Sequence, residues 1–464
     1  MYAPRTTPWP LVALFTAGYL APYLLPTTVG RLERGLDLTP TQAGGVGSLL
    51  LLSSATAGFL LASRVERTGA RTLARFGLVL AAVGYGGAAL TASVPAVVAG
   101  AVVGGFGSGT ATTVAATRIA AEKDPHRAST LGLLSVSALA GAVYLTVPHL
   151  PGHGLTLAAI ALTALAVWPL TAGLPGGTAG TAGTAGPTAV GSAEADGPTA
   201  VGSAEADGSG AGRLPYRRSG MVLAGAMLLW SLAQNALWGV SGRIGVGQAH
   251  LSEPTVGVVF AVALGAGLLG VLGAGALGSR LGRALPIGGG TVVIACCIAL
   301  SASATGLGSF AFGEIAWNTF YPVVLSYLIG LAASLDARGR WAVLVGSASS
   351  LGTAAGPLTG SVLSAQAGFP VMGAVLAVGL LLVAVPMTGV ALHAGGRALL
   401  PGAVRRRGGH PAAVVAATTG TPSGVVPEVG APEQPVVEIA LDGAAVPARA
   451  AYDTAAATRA PGGV

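Results

Sequence analysis

Residues 62–72 read ASRVERTGART, and residues 275–283 read GALGSRLGR. Both stretches are short, contain two or more Arg residues and join two long apolar runs. Each run is close to the ~20 residues that a helix needs to cross a hydrocarbon layer about 30 Å thick. The two stretches therefore predict basic loops between neighbouring membrane helices.

The composition supports an integral membrane protein. Of the 464 residues, 52% are hydrophobic and only 9% are charged, whereas a soluble surface needs about a quarter charged residues. The formal charge of +7 does not indicate nucleic-acid binding, because there is one Lys and the Arg residues are dispersed between apolar runs. The basic excess instead indicates membrane topology.

Twelve apolar runs of membrane-spanning length follow one another along the chain. They lie at 9–29, 43–62, 76–94, 95–117, 129–148, 154–174, 220–242, 255–278, 285–305, 309–334, 342–364 and 370–392. The break between the third and fourth runs depends on Pro95 alone. Since six runs precede a long polar interruption and six follow it, the sequence predicts two six-helix halves.

That interruption has the composition of a flexible tether. It contains the unit PTAVGSAEADG twice in tandem, and Gly, Ala, Pro and acidic residues bury too little apolar surface to offset the entropy of ordering. The end of the chain has a similar composition. We predict an N-terminal bundle at 1–174, a disordered cytoplasmic tether at 175–219, a C-terminal bundle at 220–393 and a disordered cytoplasmic tail at 394–464.

The first basic loop resembles a motif of the major facilitator superfamily. That family places a G-x-x-x-D-R-x-G-R-like sequence between its second and third helices, and the chain has Ala62 for the first Gly, then Glu66, Arg67, Gly69 and Arg71. A weaker copy follows the eighth run and contains Arg280, Gly282 and Arg283, with Ser279 in place of the acid. The copies begin 53 and 55 residues into their halves (62 − 9 and 275 − 220), as expected of a duplicated bundle.

The resemblance implies a fold and a role for this loop. It implies an all-α membrane protein in which twelve transmembrane helices form two pseudo-symmetric six-helix bundles. It also implies that acid and Arg pair across the cytoplasmic helix ends and latch the outward-facing arrangement, an ion pair that Ser279 cannot form. The alternative is that these Arg residues only anchor the loops on the inner side of the membrane.

The distribution of basic residues predicts the orientation. With the N-terminus inside, the outer loops hold three: Arg31, Arg34 and Arg243. The short inner loops hold eleven: Arg64, Arg67, Arg71, Arg75, Arg118, Lys123, Arg127, Arg280, Arg283, Arg338 and Arg340. We therefore predict a multi-pass protein of the plasma membrane with both termini in the cytoplasm.

Glu314 is the only one of 17 acidic residues inside a predicted helix core. Placing such a group in a membrane costs about 2.5–3.5 kcal/mol on insertion scales, so it is a candidate for function. Trp317, Asn318 and Tyr321 follow at i+3, i+4 and i+7 and share its helix face. The pattern predicts a carboxyl group that exchanges a proton near neutral pH; the alternative is that Glu314 only reaches an outer water layer.

The seventh run supplies a second polar face. Trp230, Gln234 and Trp238 are spaced by four, with Asn235 beside them. The resemblance implies that helices 1, 4, 7 and 10 line a central cavity, so that both amides face Glu314 and Asn318. From helix 1, Tyr19 and Tyr23 join this site, unless they serve ordinary packing or anchoring at the membrane interface.

No motif of an enzyme is visible. A phosphate-binding loop needs a Lys after its Gly, which Lys123 does not provide, and there is no HExxH, CxxC or cluster of His and carboxylates. We predict a monomeric secondary transporter, without cofactor or metal, that moves a small organic solute by alternating access with protons. Efflux of drug-like or secreted metabolites is the first hypothesis. Uptake of an organic solute and a non-transporting receptor or scaffold are the alternatives.

Overall fold

The computed structural model describes residues 9–122, 124–174, 216–277, 281–336 and 339–395. Within these ranges the chain is helical and contains no strand. The first half forms α1 (Trp9–Tyr23, continued by Leu25–Gly35), α2 (Pro40–Leu61), α3 (Ala70–Ala89), α4 (Val94–Ala120), α5 (Pro125–Thr146) and α6 (Leu155–Val167). The second half forms α7 (Arg217–Arg243), α8 (Glu253–Leu277), α9 (Ala284–Ala302), α10 (Leu307–Ser334) and a final run, Arg340–Gly395.

The final helical run contains two spans. A straight helix of 56 residues would be about 84 Å long, far more than a bilayer needs. Gly368, with φ 80° and ψ 165°, breaks the helix, because a positive φ is a conformation that glycine adopts readily. The run therefore divides into α11 (340–367) and α12 (369–395), which completes the predicted twelve spans.

α1 bends by 50° between its two parts. Pro22 lies in the last turn of the first part and Pro26 in the first turn of the second. Because proline has no N–H, Pro26 cannot donate to the carbonyl oxygen of Pro22 four residues earlier. The bend is thus encoded by the two prolines. It carries the helix to Gly35, six residues beyond its predicted end at residue 29.

Other boundaries differ from the predictions for equally local reasons. The third span was predicted at 76–94, but α3 ends at Ala89 and α4 begins at Val94. Pro95 lies in the first turn of α4, where its missing N–H is not needed, so the break precedes Pro95. α6 tightens into a 3₁₀ turn at Trp168–Gly173, which contains Pro169.

The predicted tether and tail lie almost wholly outside the described residues. The exceptions are their helical edges, since α7 begins at Arg217 rather than residue 220 and the final run reaches Gly395. The disorder predicted for the rest of 175–219 and 394–464 stays a prediction.

Two related contacts join the bundles. α2 packs against α11, and α5 packs against α8. Adding or subtracting six from each helix number converts one pair into the other, as expected for two halves of the same architecture. At the first contact, a Cβ on Gly44 would approach the Ser361 side chain to 2.1 Å, and Ser48 Oγ accepts the N–H of Leu358 at 2.9 Å.

Small residues on α11 allow close packing against α7 within the second bundle. A Cβ on Gly352 would lie 2.1 Å from the carbonyl oxygen of Leu228, and one on Gly360 would lie 2.1 Å from that of Ala236. Both distances are shorter than any van der Waals contact. The spaced glycines therefore set the separation of the two helices, as small residues do in other membrane bundles.

We expect Gly352→Ala to lower the thermal unfolding temperature of the purified protein, because the added methyl group forces α11 away from α7. Gly225→Ala on α7 is the matched control, since no atom lies within 4 Å of its added Cβ. Equal unfolding temperatures for the two variants, measured by intrinsic fluorescence, would contradict this packing.

Candidate functional site

A cavity of about 550 Å³, counting the open space at its mouth, lies between the two bundles. Side chains from α1, α5, α7, α8 and α10 line it, and none of them is charged. They are Tyr23, Ser137, Gln234, Trp238, Leu264, Gly267, Leu268, Trp317, Asn318 and Tyr321.

Aromatic rings from two helices form one wall of the cavity. The ring centroids of Trp238 and Trp317 are 5.6 Å apart, and those of Trp317 and Tyr321 are 6.1 Å apart. Trp230 stacks on Tyr321 at 5.1 Å with an interplanar angle of 15°. Trp230 is fully buried and is not among the lining residues, so it supports the wall from behind.

The amides of the cavity are held by neighbouring groups. The indole N–H of Trp317 donates to Gln234 Oε1, and Asn318 Nδ2 donates to the backbone carbonyl oxygen of Glu314 at 3.0 Å. Trp238 Nε1 donates to the carbonyl oxygen of Pro22 at 3.1 Å, the acceptor that Pro26 leaves without its helical partner. This last bond joins the two bundles beside the cavity.

Glu314 is completely buried one turn before Trp317 and Asn318. Its Oε1 accepts hydrogen bonds from Ser241 on α7 at 2.9 Å and from Ser301 on α9 at 2.6 Å. Its Oε2 has no hydrogen-bond partner among the described residues. Glu314 therefore faces protein rather than lipid, but it lies beside the cavity and is not one of its lining residues.

The structure separates some residues that the sequence placed together. Asn235 does not face Glu314, because its Nδ2 donates to Ser231 O at 2.9 Å and to Thr353 Oγ1 on α11 at 3.2 Å. Gln234 and Asn235 are neighbours on a helix, about 100° apart at 3.6 residues per turn, so only Gln234 points to the cavity. Tyr19 stacks on Phe15 at 4.3 Å and lies outside the lining, whereas Tyr23 is part of it.

The latch expected for the outward-facing arrangement stays a prediction, and in this structure the Arg residues whose contacts are described bond within their own bundles. Arg71 donates to the carbonyl oxygens of Ala172 and Leu174 at the end of α6, in its own bundle. Arg283 donates to Ser334 Oγ on α10, also in its own bundle. The loop geometry explains this, since Gly69 (φ 88°) and Gly282 (φ 65°) turn the chain back along the same half. Glu66 and Arg67 are exposed, and Arg280 lies outside the described residues.

Ion pairs at the opposite face do join the bundles. We call this the distal face: the side where α1 ends and α2 begins. Arg31 on α1 reaches Glu253 on α8 at 3.2 Å, and Arg34 reaches the same carboxylate at 2.7 Å. Arg243 at the end of α7 reaches Glu33 on α1 at 3.4 Å.

The two buried arginines of the distal face are anchored in the same manner. Arg31 donates to the carbonyl oxygens of Val147, Leu150 and Gly152 in its own bundle at 2.7–3.1 Å. Arg243 donates to Ser361 at 2.9 Å within its own, C-terminal bundle. Each is less than a tenth exposed, and each reaches across to a glutamate of the opposite half.

The sequence predicts loop charges at Arg31 and Arg243 and gives neither a partner, so these pairs were not expected. A signal was present, since Arg31 and Arg243 lie 22 and 23 residues after the predicted starts of their halves, at Trp9 and Gly220. Two matching basic residues in a duplicated fold indicate a shared structural position.

We expect Arg31→Ala to destabilise the protein by about 3 kcal/mol, because it leaves buried carbonyl groups and a carboxylate without their partner. Arg34→Ala is the matched control. It removes an arginine that is 43% exposed from the same glutamate, and exposed pairs contribute less than about 1 kcal/mol. Thermal unfolding of both variants in the same detergent tests the difference, and an equal loss would contradict the structural role of Arg31.

Solved structures of transporters share this architecture. The human organic anion transporter MFSD10 (TETRAN) is 17% identical, with a TM-score of 0.56, and covers 83% of this chain and 100% of its own. A bacterial homologue of the human lysosomal transporter Spinster, in an inward-facing and unoccupied conformation, is 14% identical, with a TM-score of 0.57, and covers 89% and 97%. A variant of the nucleoside transporter NupG is 13% identical, with a TM-score of 0.61, and covers 83% and 100%.

Sequence comparison adds no relative: no protein-family model and no curated protein matches the chain. The architecture, however, agrees with the expectation drawn from the loop motif. Two six-helix halves, joined by the α2–α11 and α5–α8 contacts around a central cavity, show that the chain is a multi-pass membrane protein with the fold of the major facilitator superfamily.

Proposed function

We propose that this protein is a secondary active transporter that exports a small, uncharged organic solute from the cell in exchange for protons. The observation that carries the proposal is the central cavity, which lies between two bundles and whose described lining presents aromatic rings and amides without a charged side chain. Such a lining suits a weakly polar solute, because a charged solute would lose its hydration without gaining an ion pair. The fold supports transport by rocking of the two bundles about this cavity.

The distal ion pairs supply the gate for this motion. With both termini in the cytoplasm of a plasma-membrane protein, the distal face is the outer face. The pairs Arg31–Glu253 and Arg243–Glu33 then hold the outer side closed, while Arg71 and Arg283 make their contacts within single bundles. Opening outward requires the breaking of both pairs, and each bundle remains intact because the arginines keep their anchors.

Glu314 is our candidate for the proton site. A carboxylate inside a membrane is unfavourable without a cation, and no Arg, Lys or His is paired with Glu314 among the described residues. A proton removes this penalty. Ser241 and Ser301 hold one oxygen, and the other oxygen has no partner. Through Ser241 the carboxyl group contacts α7, the helix that also carries Gln234 and Trp238 of the cavity.

We expect Glu314→Gln to abolish solute transport driven by a pH gradient in proteoliposomes, while exchange of labelled for unlabelled solute without a gradient is retained. The amide keeps the size and hydrogen-bonding capacity of the acid but cannot release a proton. Glu122→Gln, an exposed site outside the spans, is the control. Unchanged gradient-driven transport in Glu314→Gln would refute the proton role.

A growth assay tests the direction of transport. Cells that express the protein should tolerate higher concentrations of toxic, uncharged aromatic compounds than cells that express Glu314→Gln. Greater sensitivity on expression would show uptake instead and would overturn export. An effect that depends on residues 187–208 and the tail, but not on Glu314, would favour a scaffold.

We expect Glu33→Gln to expose the α2–α11 contact from the distal face, because it removes the partner of Arg243. The probe is Ser48→Cys in a Cys296→Ser, Cys297→Ser background, labelled with a membrane-impermeant thiol reagent. Labelling should become several-fold faster with Glu33→Gln and should not change with Asp37→Asn, which removes the same charge from an exposed neighbouring site. Equal labelling rates would show that the pair does not control closure.

A further inference from the structure

Gln234 presents a hydrogen-bond donor whose direction is fixed. The indole N–H of Trp317 can only donate, so the amide atom that faces it must be the oxygen Oε1. Nε2 therefore lies on the other side of the amide. It is buried and has no hydrogen-bond partner among the described residues. Since buried donors without acceptors are rare and unfavourable, this N–H group in a cavity-lining residue indicates a site for a ligand's acceptor.

Asn318 is oriented the opposite way by the same logic. A backbone carbonyl oxygen can only accept, so the atom of Asn318 that faces Glu314 O at 3.0 Å must be Nδ2. Its Oδ1 is then left as an acceptor in a residue that lines the same cavity. The two amides thus present one donor from α7 and one acceptor from α10, and neither can exchange its role without losing a hydrogen bond.

The remaining lining defines the shape of the ligand. Trp238, Trp317 and Tyr321 offer ring surfaces whose centroids follow one another at 5.6 and 6.1 Å. The rings are tilted against each other by 43° and 56°, so they offer both faces and edges, which an aromatic group can contact by stacking or edge to face. Among the residues that the structure describes, no cation or carboxylate lines the cavity to compensate a charge on that group.

We propose that the cavity binds an uncharged, planar aromatic compound through a hydrogen-bond acceptor attached to its ring, and that this acceptor receives the Nε2–H of Gln234. Trp317 is the positioning residue, because its indole N–H keeps the donor side of the amide turned away from itself. Asn318 Oδ1 accepts a donor on the same compound where one is present. This inference rests on the proposed function, since it names the class of solute that the transporter carries.

Binding of matched ring compounds to the full chain in lipid nanodiscs tests the proposal. 2-Acetylnaphthalene carries an acceptor, and 2-ethylnaphthalene has the same shape without one. Equilibrium dialysis, corrected with empty nanodiscs, should show that the ketone binds about 10-fold more tightly, as expected for one buried hydrogen bond. Gln234→Met should make the two affinities equal, and Gln366→Met, at an exposed site of α11, should leave the ratio unchanged.

A second pair of variants tests the positioning role of Trp317. Trp317→Phe keeps an aromatic ring but removes the N–H, so the Gln234 amide can turn and accept as well as donate. The affinity of indole, which can donate but not accept, should then rise relative to that of the ketone, whereas a purely structural role would weaken both equally. Gln234→Glu, nearly identical in size, should reverse the preference from ketone to indole.

Three results would overturn the inference: no saturable binding of either naphthalene, equal affinities in the unmodified protein, or a ketone preference that survives in both Gln234 variants. None of these depends on transport. A protein that prefers the ketone but moves no solute would refute the proposed function and leave the inference intact. Proton-driven transport without any ketone preference would refute the inference and leave the proposed function intact.

Discussion

A polar group inside a bilayer has no water to bond with, and this constraint decides where the polar side chains of the protein lie. Pro26 cannot donate to the carbonyl oxygen of Pro22, and Trp238 supplies the N–H from the other bundle. In the described part of the chain no cation is paired with Glu314, and two serine hydroxyls hold one of its oxygens. The polar groups near the cavity are thus fixed by their partners, which gives the cavity defined donors and acceptors.

The same constraint explains why the bundles meet mainly through small residues and a few polar bonds. Lipid tails are as apolar as the helix surfaces, so apolar area alone does not hold two bundles together. The α2–α11 contact uses Gly44 for close approach and one Ser48 hydrogen bond. At the distal face, where Arg31 and Arg243 are also held by groups of their own halves, the ion pairs add attraction between the bundles.

The sequence could predict the features that repeat along the chain. Apolar runs of about 20 residues located the spans, and the paired basic loops located the two halves, because both depend on local composition. The sequence also marked Gln234, Trp317 and Asn318, since polar and aromatic residues at helical spacing in an apolar run are unusual. It could not decide which of Gln234 and Asn235 faces the cavity, because this depends on how α7 is rotated against α11.

The distal arginines show a different limit of sequence reasoning. The topology rule counts a basic residue by the side of the membrane on which it lies and gives it no partner. Arg31 and Arg243 follow long apolar runs, so they look like flanking charges. Both side chains are nevertheless buried, at the bent end of α1 and at the end of α7. Only the nearly equal offset, 22 and 23 residues, in a duplicated fold distinguishes them from Arg34, which remains exposed.

One segment connects the separate parts of the site. Four residues at the distal end of α7 make these contacts. Gln234 and Trp238 line the cavity, Ser241 donates a hydrogen bond to Glu314, and Arg243 pairs with Glu33. These residues span about three turns of a single helix, so a tilt of α7 moves all of them together. In the transport cycle that we propose, a proton on Glu314 changes the hydrogen bond with Ser241, and a ligand on Gln234 engages the same helix two turns away. In the mechanism that we propose, α7 therefore links ligand release, proton uptake and the breaking of the Arg243–Glu33 pair, whereas the Arg31–Glu253 pair joins α1 to α8 and breaks separately.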